Sequence, residues 1–177
     1  MISSTLKKLI GLPITCENPK TIFVGLIGGV GDLLAAAPSV AALKRKYPKA
    51  KLTFGVGDGI FFNTIKNDPN IDHFETPFTY NVWKKSGHRK AYREKYKEHD
   101  LVFLLDNGNR NWWKAEKHLL DVYAEKCGVT LEQRRPLIYL DDKDIQEAHS
   151  KLNELGISKK DKLMILSPET RSKKEMK

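Results

Sequence analysis

The sequence predicts an α/β fold built on a doubly wound parallel sheet. Apolar runs of strand length alternate with longer helical patterns from Lys20 onward. Ile22-Phe23-Val24, Leu101-Val102-Phe103-Leu104-Leu105 and Leu163-Met164-Ile165-Leu166 are continuously apolar, as parallel strands covered on both faces are. The first of these runs feeds the turn Gly28-Gly29-Val30-Gly31-Asp32, which opens a helical pattern. Open α/β sheets place their ligands at such strand-to-helix turns.

Taken in order, residues 1–20 read as a basic leader with one helical turn capped by Ser3 or Ser4. A strand over 21–27 is followed by a helix over 32–46, whose apolar face is Leu33, Leu34, Ala37, Val40, Ala41 and Leu43 and which stops near Tyr47-Pro48. The alternation continues with strands over 51–56, 72–76 and 101–105 and helices over 59–66, 87–97 and 112–127. A strand over 136–140 precedes a helix over 142–155 with Ile145, Ala148, Leu152 and Leu155 on one face and Gly156 as its C-terminal cap. After the polar linker Ser158-Lys159-Lys160-Asp161, a further buried strand is expected over 162–167. A βα loop then begins with no helix after it, which reads as the cut end of a domain.

At 177 residues, 40% hydrophobic and 30% charged, the chain is globular rather than disordered. No apolar run approaches the ~20 residues of a membrane span, and the apolar part of Leu6–Pro13 is too short for a signal peptide. Cys16 and Cys127 lie in no metal or redox spacing and read as free thiols of a reducing cytoplasm; the five histidines are scattered. Of the net charge of +9, an excess of five falls between Lys84 and Glu98, where seven Lys or Arg meet two Glu. That segment suits an anionic partner, or a solvated helix face laced with i,i+4 pairs.

Gly28, Gly29 and Gly31 let backbone amides approach a bound group, though a tight turn needs them nearly as much. The spacing is not G-x-G-x-x-G, which disfavours a nicotinamide cofactor. Asp32, where the helix begins, is placed to cap it or to accept a proton as a general base. Asp106, Asn107, Asn109 and Arg110 follow a central strand on the same rim and either bind hydroxyls or form a polar turn. Trp112 and Trp113 read as core or interface residues, and Tyr92 and Tyr96 as packing onto the sheet.

Four motifs together resemble the heptosyltransferases of lipopolysaccharide core assembly, glycosyltransferase family nine. They are Gly31-Asp32-Leu33-Leu34 with Pro38, Ala42-Leu43-Lys44 and Tyr47-Pro48-Lys49-Ala50-Lys51-Leu52; Asn67-Asp68-Pro69-Asn70-Ile71-Asp72; Asp100 to Asp106; and Ile165 to Lys174. The resemblance implies the N-terminal, acceptor-binding half of a GT-B enzyme with Rossmann-like domains. Residues 21–157 would be that domain, and 158–177 the linker and first strand of a truncated nucleotide-sugar-binding domain. It further implies metal-independent transfer of a sugar from a nucleotide-sugar such as ADP-heptose to an anionic glycolipid, with no cofactor. The expected setting is the cytoplasm, in peripheral contact with the inner membrane, and the fragment alone would be inactive.

In this resemblance Asp32 is the base, and Gly28, Gly29 and Gly31 line the acceptor site. Lys84, Lys85, Arg89, Lys90 and Arg93 face the anionic acceptor, with Asp106, Asn107, Asn109 and Arg110 on its hydroxyls and Trp83 stacking on a sugar. Thr170, Arg171 and Lys174 meet the donor phosphates; the Trp-Pro that commonly follows in the family is missing here. The alternative is a non-catalytic basic α/β module that binds a polyanion such as nucleic acid, although no RNP-like or helix-turn-helix pattern accompanies the charge.

Overall fold

The computed structural model describes residues 16–78, 94–105 and 116–166. The chain divides into two compact units between Tyr139 and Leu140. In the first, β1 (Thr21–Leu26), α1 (Val30–Lys46), β2 (Lys51–Gly55), α2 (Ile60–Ile65), β3 (His73–Glu75), β4 (Leu101–Leu105) and α3 (Leu119–Cys127) follow one another. The four strands are parallel, in the order β3-β2-β1-β4. The α/β parallel sheet expected from the sequence is therefore present.

Strand geometry sends alternate side chains of β1 to opposite faces. Ile22, Val24 and Leu26 join Leu33, Val40 and Leu43 of α1 and Leu120, Tyr123 and Cys127 of α3 in one core. Phe23 points the other way, where Phe78 and Tyr96 cover it; its ring stacks on Tyr96 at a centroid distance of 3.8 Å. Tyr96 thus packs as its sequence suggested. The registered pair Gly25 and Gly55 makes room for Phe78: a Cβ on either would lie 2.5 or 2.8 Å from that ring.

Carboxylates tie the strand starts together. Asp100, just before β4, accepts from the N–H groups of Lys20 (2.7 Å) and Thr21 (3.0 Å) at the start of β1. Asp72, just before β3, accepts from Leu52 N–H (2.7 Å) in β2 and Lys44 Nζ (2.6 Å) in α1. Lys44 also donates to Ala50 O at 2.8 Å. Lys44, Ala50, Leu52, Asp72 and Asp100, all in the quoted motifs, therefore stitch the end of the sheet away from the glycine turn.

Several expected elements differ. α1 begins at Val30 rather than 32, because Asp32 reaches back to cap the turn from inside the helix. α3 begins at Leu119, with His118 capping through Nδ1. Residues 136–140 form no strand. Pro38, buried inside α1, has no N–H for the carbonyl of Leu34, and Leu137 N–H bonds that carbonyl instead at 3.3 Å. The segment is thus held to a helix rather than a ladder. The expected helix over 87–97 lies mostly outside the described residues; Glu94 and Lys95 are helical.

The second unit contains α4 (Asp142–Glu154). Asp141 and Asp144 form a reciprocal capping box at its start. Gly156, in the left-handed region at φ 72°, closes it, with Ile157 N–H on Leu152 O and Gly156 N–H on Asn153 O. No residue of α4 is buried. Residues 162–166 form no strand, since a strand requires a hydrogen-bonded neighbour and the described part of this unit supplies none.

Candidate functional site

The strand order makes the site. β2 and β3 lie on one side of β1 and β4 on the other, so successive crossovers diverge at the carboxyl ends of β1 and β4. Leu26 and Leu105, the last residues of these strands, are register partners. From Leu26 the chain runs through exposed Gly28 and Gly29 into α1. The free N–H groups of that helix start favour negative charge.

Asp32 is half-buried at this rim. Its Oδ2 accepts from Gly29 N–H at 2.6 Å and its Oδ1 from the Tyr123 hydroxyl at 3.3 Å. The carboxylate therefore caps the helix and remains accessible. The three glycines differ in what they require. A Cβ on Gly28 would stand 2.6–2.7 Å from Asp32 Cβ, Cγ and Oδ2, so only glycine admits the carboxylate here. A Cβ on Gly29 would make ordinary contact with Asp32 at 3.5 Å, and one on Gly31 would meet open space. Nothing in the described packing demands glycine at 31.

Beside Gly28 opens a cleft of about 390 Å³, walled by Leu26, Leu33, Val56, Phe61 and Phe78, with Asp58 and Pro77 also on its boundary. It is mostly apolar and lies at the carboxyl ends of β1 and β2, where a ligand reaching the glycine turn would rest against it. Neither these walls nor Tyr123 emerges from the sequence as part of the site. For Tyr123 the available signal is its hydroxyl, which needs a partner when the ring is buried.

The expected site residues thus divide. Gly28, Gly29, Gly31 and Asp32 come together on the rim. Trp83, Lys84, Lys85, Arg89, Lys90, Arg93, Asp106, Asn107, Asn109, Arg110, Thr170, Arg171 and Lys174 lie outside the described residues. The described end of the basic segment is paired: Lys95 Nζ meets Glu75 at 2.9 Å and Lys97 Nζ meets Glu94 at 2.7 Å. Hydrogen bonds to Tyr96 and Glu75 raise Lys95 well above the ordinary lysine range, while burial, with Glu75 adding, pushes Tyr96 up to about 12. Among the described residues no cluster of His, Cys, Asp or Glu could hold a metal, and no helix is long and apolar enough to cross a membrane.

The chain is similar in fold to the crystal structure of a glycosyl transferase family 9 protein from Veillonella parvula. The TM-score is 0.58 at 18% identity, over 82% of this chain and 52% of that one. The likeness is one of fold. The chain spans about half the length of that structure. No family model matches the sequence, and no curated protein matches it.

Proposed function

We propose that this chain is the acceptor-binding half of a glycosyltransferase of the heptosyltransferase type. It would transfer a sugar from a nucleotide-sugar such as ADP-heptose to an anionic glycolipid of the lipopolysaccharide-core kind. The observation that carries this reading is Asp32: an accessible carboxylate, tied by two hydrogen bonds, at the switch point of a sheet whose fold is similar to a family 9 glycosyl transferase.

A sugar alcohol is a weak nucleophile. In this reading it lies on the glycine turn with its hydroxyl against Asp32, which takes the proton as the oxygen attacks the anomeric carbon. The new C–O bond forms as the bond to the nucleoside diphosphate breaks, and the configuration inverts. Gly31, unneeded for packing, would admit the acceptor close to the helix N-terminus. Lys84, Lys85, Arg89, Lys90 and Arg93 would meet the acceptor's phosphates or carboxylates, and Asp106, Asn107, Asn109 and Arg110 its hydroxyls. Arg171 and Lys174 would neutralise the departing diphosphate from a second domain, with Thr170 hydrogen-bonding to it, the protein at the cytoplasmic face of the inner membrane and no metal or cofactor required.

Asp32→Asn in the full-length protein is expected to lower transfer at least ~100-fold, the usual worth of a general base. Asparagine keeps an oxygen for the Gly29 N–H, so the cap loses at most about 1 kcal/mol and the far-ultraviolet circular dichroism stays native. Wild-type turnover by this variant would remove Asp32 from the mechanism. Titration separates the polyanion-binding alternative: saturable binding of a lipid A precursor supports the transferase, whereas salt-sensitive binding of generic oligonucleotides alone supports the other.

A further inference from the structure

We infer that Tyr123 is a positioning residue for the Asp32 carboxylate, an assignment that rests on the base role proposed above. The residues stand 91 positions apart in sequence, on α3 and α1, and meet only because those helices pack together. The Tyr123 ring is 1% exposed and belongs to the core with Leu33, Leu120 and Cys127. Phenylalanine would fill the same volume, so the hydroxyl is the part that packing does not explain.

A carboxylate offers only acceptors, about four lone-pair positions over two oxygens, so the phenol donates in this pair. Gly29 N–H holds Oδ2 and Tyr123 holds Oδ1. The terminal torsion of aspartate is otherwise broad and roughly two-fold. With one donor on each oxygen and Gly28 so close that a Cβ there would meet Oδ2 at 2.7 Å, the carboxylate plane is set. Among the described residues, one lone pair per oxygen remains for a substrate proton. The 3.3 Å separation is long for an O–H···O bond; catalytic hydrogen bonds of free enzymes often are, and shorten when substrate binds.

The same geometry explains why the hydroxyl comes from a buried ring. A surface side chain in its place would swing with solvent, whereas Tyr123 has its ring fixed by the core and only its oxygen at the rim. Reaction rates are sensitive to small misplacement of a catalytic group, so a donor anchored in this way acts on turnover rather than on affinity.

The test is Tyr123→Phe in the full-length protein, assayed for transfer with nucleotide-sugar and glycolipid and solved crystallographically. The expected result is a kcat about tenfold lower, KM values within about twofold, and a rotated Asp32 carboxylate in a fold with an almost unchanged melting temperature. A wild-type kcat, a change confined to KM, or an Asp32 carboxylate that stays in place would overturn the inference. So would a loss of activity explained by a collapse in melting temperature. Asp32→Asn distinguishes the two levels: if it is inactive while Tyr123→Phe is fully active, only the positioning role falls. If Asp32→Asn retains turnover, the base assignment falls and takes this one with it. The double variant should be no slower than Asp32→Asn alone.

Discussion

Residues 22–24 and residues 163–166 are both unbroken apolar runs, yet they occupy opposite environments. Ile22, Phe23 and Val24 are at most 1% exposed, whereas Met164, Ile165 and Leu166 are about 80% exposed. The first run has parallel partners on both sides and a covering layer on each face; the second has no ladder partner among the described residues. The helices repeat the contrast. α1 buries most of its length, and α4, with a well-formed capping box and C-terminal closure, has no fully buried residue. Local signals thus form a helix end equally well in both places. Burial comes only from neighbours.

The sharpest way to break this comparison is to truncate a side chain in each region. Phe54→Ala, in the core of β2, should lower unfolding stability by about 3–5 kcal/mol in urea titrations. Ile165→Ala should change it by no more than about 0.5 kcal/mol. A large loss at Ile165 would mean that the exposed run is packed in solution, and the two regions would then be alike.

A second contrast lies between glycines. Gly55→Ala drives a Cβ to within 2.8 Å of the Phe78 ring and should destabilise by about 1–3 kcal/mol, as overpacked sites do. Phe78→Leu in the same chain should recover part of that loss. Gly31→Ala faces open space and should be neutral or stabilising by up to about 1 kcal/mol, by restricting the unfolded chain. Equal effects at the two positions would deny that Gly55 is demanded by packing and Gly31 is not.

A third contrast is electrostatic. Burial works against ionisation of Asp72, but the Leu52 N–H and the Lys44 ammonium outweigh it and hold its carboxyl below the ordinary range. A carboxyl depressed in the folded state contributes stability that is fully present above its unfolded pKa of about 4 and is lost as pH falls through the lower folded value. Asp72→Asn should therefore cost about 1–2 kcal/mol at pH 7, with solvent screening holding it to the low end. The variant and the native chain should converge in urea titrations as pH falls through that lower folded value. Asp161, fully exposed in the second unit and held low by Ser158, should show less when changed to Asn. An Asp72→Asn defect that persisted in acid would point to lost packing rather than lost charge.

Most of the first unit was legible because its signals are local. Continuous apolar runs, a glycine-rich turn and helix periodicity located four parallel strands to within a residue or two at each end. The failures share one cause: a strand exists only through hydrogen bonds to another segment. Leu137 N–H takes the carbonyl that Pro38 leaves open in α1, and residues 162–166 find no partner among those described. Motif residues were harder to sort. Lys44, Asp72 and Asp100 stood beside Asp32 in the same pattern, but the fold uses them as clamps at the opposite end of the sheet.

By itself, then, the chain's order of residues determined the fold class and the place of the glycine turn, because periodicity and turn chemistry act over a few neighbouring positions. Only the tertiary structure decided that Asp32 is held by Tyr123 and that Phe78 closes over Gly25 and Gly55. Those contacts join residues far apart along the backbone. No short-range preference encodes which of them will meet.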